Sequence, residues 1–390
     1  MMSRIGRNII AYGCIVLLLC PPAASRAASV AARGVWVSVF SKKNVHFSAQ
    51  AVNELVSFCE ETGINEIYLQ VFQSGRCYYD SSTGDRQKYE LMLEKAGSDP
   101  LDLLLRKAHE RRIKVFAWVN ILSVGQNRSA HIITRFGRGV LTRDQKGRNS
   151  FRGDSGAEDT CYLQENQLFL EPGDPRVREY MLAVIAEIIT RYPSLDGIHL
   201  DYIRYPASVP FTPGSRFNAF GLTYGYGERS VRRFQQASGL DPRKPLGNNR
   251  EYLAWDNWKR RQITGIVDDV SRLLRERMPR ALLSCAVMSI PDRAYESAFQ
   301  DWPLWLKEGL VDYVVLMNYT LDTELFEHNV RCGRALRGKG RVYAGIGAFL
   351  FENQPGMVVE QYERALAAGC PGVVFFAYDS LDEELLKQLE

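Results

Sequence analysis

Asp196-Gly197-Ile198-His199-Leu200-Asp201-Tyr202-Ile203-Arg204-Tyr205-Pro206 is the stretch that decides how this chain folds. Side chains along a strand point alternately to opposite faces. Ile198 and Leu200 mark the face that packs against helices, so His199 and Asp201 share the other face. Helical patterns flank the strand. Asp174-Pro175 opens one before it, with Met181, Val184, Ile185, Ile188 and Ile189 on one side, and Ile263, Ile266, Val267, Val270 and Leu274 mark one after it.

The same alternation of strand and helix extends in both directions. Earlier strands are predicted at Gly34–Phe40, Ile64–Phe72 and Lys114–Asn120, and later ones at Leu282–Val287, Tyr313–Met317, Val342–Ile346 and Gly372–Phe376. Ser48 and Asp99-Pro100 cap the first two helices, and later helices are expected over Asp322–Leu336, Gly356–Ala368 and Leu381–Leu389. Eight β-α units, with no Gly-rich nucleotide loop after the first strand, favour a closed (β/α)8 TIM barrel over a doubly wound sheet. Two connections exceed structural need: Leu122–Leu168 after strand three and Pro206–Trp255 after strand four. Both leave from carboxyl ends of strands, the face on which barrels build their sites.

The 390 residues, 46% hydrophobic and 24% charged, exclude a disordered chain, a fibrous repeat and a multi-span membrane protein. Residues 1–28 contain Arg4 and Arg7, an apolar run from Ile9 to Cys20, Pro21-Pro22 and a small-residue stretch ending at Ala28. That layout predicts a secretory signal, an extracytoplasmic (periplasmic or secreted) protein and one domain over 29–390. Leu19 stands where a small residue would precede a lipidated cysteine, which argues against a lipid anchor. Without the three arginines of this segment, 46 basic residues face 45 acidic ones, so nothing electrostatic points to nucleic acid or to an anionic membrane. No integral membrane partner is implied.

Six cysteines follow the signal without C-x-x-C spacing; Cys77–Cys161 and Cys332–Cys370 are the pairs the layout suggests, with buried free thiols as the alternative. His46, His109, His131 and His328 have no ligand spacing and H-E-x-x-H is absent, so no metal or cofactor is expected.

Alternation also gathers the chemistry. Trp36 points inward from strand one, Tyr68 and Gln70 from strand two, Trp118 and Asn120 from strand three, and Tyr319 from the end of strand six. Asp201 thus stands at the barrel top among aromatic and amide groups. Glycosidic cleavage needs a carboxylic acid to protonate the leaving oxygen and aromatic faces to stack on sugar rings. The structural alternative makes Asp201 a partner of Arg204 or of a neighbouring tyrosine. Glu171, Asp379 and Asp322, near other strand ends, are candidates for a second carboxylate. Asp99 and Asp174 read as helix caps, and His199 as a core residue or an orienting group below Asp201.

Four segments resemble the glycosyl hydrolase-like 10 family of extracytoplasmic bacterial barrels: Arg33-Gly34-Val35-Trp36-Val37, Leu170–Tyr180, Asp196–Pro206, and Asp301-Trp302 through Gly309–Tyr313. The resemblance spans nearly all of the chain after the signal. It implies hydrolysis of a cell-envelope polysaccharide, with peptide-free peptidoglycan strands as the substrate of some members and Asp201 at the position of the strand-four acid. Two departures stand out. Many relatives carry a second acid where Tyr202 stands, and often Pro-Gln-x-Tyr where this chain has Leu316-Met317-Asn318-Tyr319. Met-x-Tyr and Asp-Gly-Ile-x-x-Asp are similar to family-18 chitinases, yet the chitinase proton donor falls on Ile203.

The expectation is a secreted glycoside hydrolase acting on an N-acetylated envelope glycan. Asp201 is its acid, Glu171 or Asp379 is a possible carboxylate partner, and Trp36, Tyr68, Gln70, Trp118, Asn120, His199, Tyr202, Arg204 and Tyr319 bind sugar. A substrate 2-acetamido group could replace the second carboxylate. The rivals are a carbohydrate-binding barrel without catalysis and a chitinase-like hydrolase with a displaced acid.

Overall fold

The computed structural model describes residues 31–149, 167–207 and 223–387. The predicted signal, Cys161 and parts of both long insertions lie outside them. Eight parallel strands form the barrel: β1 (Ala32–Val37), β2 (Glu66–Gln73), β3 (Lys114–Asn120), β4 (Gly197–Asp201), β5 (Leu282–Met288), β6 (Tyr313–Met317), β7 (Arg341–Gly347) and β8 (Gly372–Phe376), and the two-residue strand Arg76–Cys77 adds to β2 in antiparallel fashion. Strand β1 pairs with both β2 and β8, which closes the barrel. One helix packs behind each strand in turn: α1 (Ala49–Glu61), α2 (Pro100–Glu110), α3 (Pro175–Arg191), α4 (Asn249–Arg277), α5 (Trp302–Glu308), α6 (Thr323–Ala335), α7 (Gly356–Ala367) and α8 (Glu383–Leu386). This is the expected (β/α)8 barrel.

Helix starts follow local chemistry. The side chain of Ser48 accepts from the Ala51 amide, Asp99 from Leu101 and Asp102, Asp174 from Arg176, and Asp322 from Glu324 and Leu325. Each satisfies amides that the first helical turn leaves unbonded, an effect of about 1 kcal/mol. Helix α4 starts six residues before the expected end of its loop. Asn248 accepts from the Glu251 amide, while the Glu251 carboxylate accepts from Gly247, a reciprocal cap that the apolar periodicity does not reveal.

The core has two layers, divided by strand pleat. Val35, Val37, Ile67, Leu69, Ile198 and Leu200 face the helices. Trp36, Tyr68, Phe116, Trp118, Tyr313, Val315, Tyr343 and Val374 fill the barrel itself. Register sets Trp118 beside His199 and Asn120 beside Asp201. The cysteine expectation needs correction: Cys332 and Cys370 are both free, because Cys332 lies exposed on α6 while Cys370 is buried with its thiol directed at the carbonyls of Val342 and Gly372. Cys77 is also a buried free thiol.

Gly197, the first residue of β4, is where the barrel wall tolerates no side chain. A Cβ there would lie 2.1 Å from the Leu282 carbonyl oxygen and 2.8 Å from the Phe116 ring. Gly197→Ala should therefore cost about 3 kcal/mol of stability, the upper end for overpacking a rigid core. An unchanged denaturant midpoint would show that the wall can yield.

Candidate active site

The carboxyl ends of the strands open onto a cavity of about 690 Å³. Its floor and near wall are Trp36, Trp118 and Phe376, whose rings meet edge to face: Trp36–Phe376 at 5.8 Å and Trp118–Phe376 at 6.2 Å between centroids. Ser38, Gln70, Asn120, Asp201, Tyr202, Arg204 and Tyr319 complete the polar part. A second cavity of about 460 Å³ adjoins it, sharing Arg204, Met317 and Tyr319. Together they form a groove across the barrel mouth.

Asp201 is 8% exposed at the end of β4 and is held at both oxygens. The Trp118 indole donates to Oδ2 at 3.1 Å, and the Tyr202 amide donates to Oδ1 at 2.6 Å. Tyr202 takes φ of +49°, a left-handed conformation that bulky side chains rarely adopt. Its ring is fixed on both sides, with Gln167 donating to its hydroxyl at 3.2 Å and the Arg204 guanidinium 5.0 Å from its centroid. Gln70 accepts from the Ser38 hydroxyl and donates to Asn120 Oδ1, both at 3.2 Å, which orders three strand ends on one amide. Tyr319 stacks on Phe376 at 5.6 Å. Burial, and then the nearby charge of Asp201, push the Tyr319 phenol well above its usual pKa, so it stays a neutral donor.

Two expected sugar-binding residues lie one layer deeper. Tyr68 is fully buried in the barrel, donating to Glu66 at 2.7 Å and meeting the Tyr313 hydroxyl at 2.9 Å. His199 is equally buried, and its Nε2 lies 3.1 Å from the Trp36 indole N–H. An indole can only donate, so Nε2 accepts and the ring proton sits on Nδ1, which donates to Ser284 Oγ at 2.8 Å. His199 therefore orients the cavity floor without lining it. The alternation rule gives the face of a strand but not the depth along the axis.

The candidates for a second carboxylate are also elsewhere. Glu171 is fully buried and accepts from Thr142 (2.9 Å), Tyr205 (3.0 Å), Gly173 (3.2 Å) and Gly227 (3.1 Å). Burial pushes its pKa up against these four donors. It ties the two long insertions together. Asp379 accepts from the Ser41 hydroxyl and the Lys42 amide, which closes the β1 and β8 loops, and Asp322 caps α6. Among the described residues, Asp201 is the one carboxylate lining either cavity, and no cluster of three His, Cys, Asp or Glu is placed to hold a metal ion.

Several lining residues escaped the sequence reading. Phe376 continues the inward set Gly372, Val374, Phe376, a pattern legible on β8 but not followed there. Phe40, 72% exposed at the rim, is an aromatic platform just past β1. Gln73 ends β2, beyond the inward residues Tyr68 and Gln70, and Ser74, Gln126 and Gln167 come from loops that carry no periodic signal.

Two measurements follow from this arrangement. Burial lowers the His199 pKa from 6.5 to about 3, so the unfolded chain binds the proton first as pH falls. Its contribution to stability is complete above pH 6.5 and is lost progressively towards pH 3. His199→Asn should flatten the slope of unfolding free energy against pH in that window; an identical slope would place the titration elsewhere, with buried His46 as the other contributor. Glu171→Ala should destabilise by about 3 kcal/mol, since four buried donors lose their acceptor. A fully stable but inactive Glu171→Gln protein would instead return Glu171 to the chemistry.

Comparison with known proteins agrees with the barrel. The sequence profile described as glycosyl hydrolase-like 10 matches residues 31–332. Glycosyl hydrolase DigH of Escherichia coli (strain K12) is 23% identical over 332 residues, covering 77% of this chain and 68% of that protein. Glycosyl hydrolase YngK of Bacillus subtilis (strain 168) is 20% identical over 312 residues, covering 74% of this chain and 54% of that protein. In fold, the chain is similar to crystal structures of β-galactosidases. The enzyme from Bacillus circulans sp. alkalophilus superimposes with a TM-score of 0.56 at 13% identity, over 89% of this chain and 50% of that one. The enzyme from the psychrophilic Marinomonas ef1 gives 0.55 at 14% identity, over 89% and 54%. This chain spans about half the length of those two structures. The match over residues 31–332 establishes that the chain belongs to the glycosyl hydrolase-like 10 family.

Proposed function

We propose that the groove cleaves glycosidic bonds in a bacterial cell-envelope polysaccharide with N-acetylated sugars, with peptidoglycan glycan strands as the substrate and Asp201 as general acid. The observation that carries this reading is the lone carboxylate on the described lining, set beside the Tyr319 phenol and above an aromatic floor. Two-carboxylate mechanisms need a second acid facing the first across the bond. A 2-acetamido sugar brings its own nucleophile. Its carbonyl oxygen attacks C1 while Asp201 protonates the departing glycosidic oxygen, and water then opens the resulting cyclic intermediate, returning the proton to Asp201. Tyr319, kept neutral, supplies the hydrogen bond that aims the acetamido group. Trp36, Trp118 and Phe376 stack on sugar faces, and Gln70, Asn120, Tyr202 and Arg204 bind hydroxyls. The basic-apolar-small layout of residues 1–28 supports an extracytoplasmic setting, where such a polymer lies.

One observation favours a second reading, a carbohydrate-binding barrel without catalysis. Both Asp201 oxygens already accept hydrogen bonds, from Trp118 and the Tyr202 amide, and such bonds favour an ionised carboxylate over a proton donor.

The deciding experiment measures new reducing ends from purified, peptide-free peptidoglycan strands. Asp201→Asn should reduce release by about 10²–10⁴-fold, the usual worth of a general acid, while strand binding persists. N-deacetylated strands should resist the wild-type protein. Binding without release by the wild type selects the non-catalytic reading, and equal release by both proteins puts the acid elsewhere.

A further inference from the structure

Pairing between β1 and β2 runs from Gly34–Glu66 to Val37–Leu69, and the register between β2 and β3 shifts between Gln70 and Phe72. Gln70 is therefore the first residue of β2 past the reach of β1, at the start of a bulge. A bulge disrupts the ladder and re-aims a side chain, so its backbone needs support from elsewhere. His46 supplies it. The short turn Val45–Phe47, on the chain between β1 and α1, brings His46 Nε2 to 2.7 Å from the Gln70 carbonyl oxygen. A carbonyl can only accept, so Nε2 carries the ring proton. The imidazole is 2% exposed and meets the Tyr78 ring at 5.7 Å between centroids, edge to face, while the Tyr78 amide donates to the next carbonyl, Val71, at 2.8 Å.

The side chain of Gln70 carries this support towards the cavity. The Val39 backbone amide can only donate, so the atom 3.2 Å from it is Gln70 Oε1, which also accepts from Ser38. The amide group is thereby locked against a flip, and its Nε2 is left to donate to Asn120 Oδ1 at 3.2 Å. Asn120 lies level with Asp201 in the β3–β4 register and lines the same cavity. With its oxygen turned to Gln70, the group that Asn120 offers beside Asp201 is the Nδ2 donor.

Resting on the glycosidase reading, we propose that His46 is a positioning residue for the groove. By holding the Gln70 carbonyl it fixes the bulge from which Gln70 orients Asn120. A sugar bound at Asp201 then meets an N–H donor there and must present an acceptor, a hydroxyl or acetamido oxygen, to it. His46 touches no substrate and acts through the Gln70 and Asn120 amides.

The test reads reducing-end release from peptide-free peptidoglycan strands and, in the Asp201→Asn protein, equilibrium binding of the same strands. His46→Phe keeps a ring against Tyr78 and removes the donor. KM should rise about tenfold with kcat changed by less than about twofold, the worth of one buried hydrogen bond spent on binding. His46→Gln, which restores an N–H, should recover most of the loss. The effect of His46→Phe should also vanish in a Gln70→Ala background, where no side chain is left to aim. A lower denaturant midpoint with unchanged KM, or a KM effect that survives Gln70→Ala, makes His46 purely structural and overturns the proposal. Should His46→Phe not fold, Asn120→Asp decides. It exchanges the donor for an acceptor at nearly constant shape and should weaken strand binding about tenfold or more, and unchanged affinity removes the relay. Binding separates this failure from that of the parent reading. His46-dependent binding without release by the wild type keeps the positioning role and removes hydrolysis. Release indifferent to His46 keeps hydrolysis and removes the positioning role, and a wild type that neither binds nor cleaves removes both.

Discussion

His199 sits on the barrel axis with both ring nitrogens engaged, and that pairing constrains everything above it. A closed barrel of this size is packed with side chains, so each inward polar group must find a protein partner or incur the full cost of burial. A continuous chain of such partners runs through the interior. Glu66 accepts from Tyr68, Tyr68 meets Tyr313, Tyr313 meets Ser284, Ser284 accepts from His199, and His199 accepts from Trp36. Because the imidazole is neutral, its Nε2 can only accept, which points the Trp36 indole in one direction. Trp36 is the cavity floor. Two residues beyond His199 on β4, the pleat returns the inner face at Asp201. Strand β4 therefore fixes both the orientation of the floor and the carboxylate above it.

The walls depend on a different knot. Glu171 gathers hydrogen bonds from Thr142, Gly173, Tyr205 and Gly227, groups that belong to both insertions and to the chain leaving β4. A second anchor lies nearby. Lys259 of α4 reaches Thr223 at 3.1 Å and lies 3.7 Å from the Phe299 ring centroid, with burial lowering its pKa to about 8. Loops of this length lose much conformational entropy on ordering, and two buried hydrogen-bonded groups offset part of that cost by fixing them to the barrel. Glu171 thus holds the insertions in place without lining the groove.

The fold was almost wholly legible because its signals are periodic. Ile198 and Leu200 against His199 and Asp201 is a pattern of two, Met181 through Ile189 a pattern of 3.6, and eight alternations leave little choice of architecture. The site was legible only where it shares that period. Trp36, Gln70, Trp118, Asn120, Asp201 and Tyr319 line the groove as alternation requires. Tyr68 and His199 obey the same rule yet sit too deep, since period two carries no information about height along the axis. Glu171 and Asp379 lie off the described lining for the opposite reason: proximity to a strand end says nothing about where an irregular loop turns its side chains. Gln167 and Phe40 lie in segments with no period at all.

Tyr202 shows what the residue type at one position does to the groove. Its ring lies beside the Arg204 guanidinium at 5.0 Å, an attraction between a cation and an aromatic quadrupole. The backbone cost of a left-handed tyrosine is of order 1–3 kcal/mol, set against that contact, the Gln167 hydrogen bond and the Phe169 ring at 5.9 Å. The described lining keeps a single carboxylate, Asp201, with the Tyr202 amide on one of its oxygens.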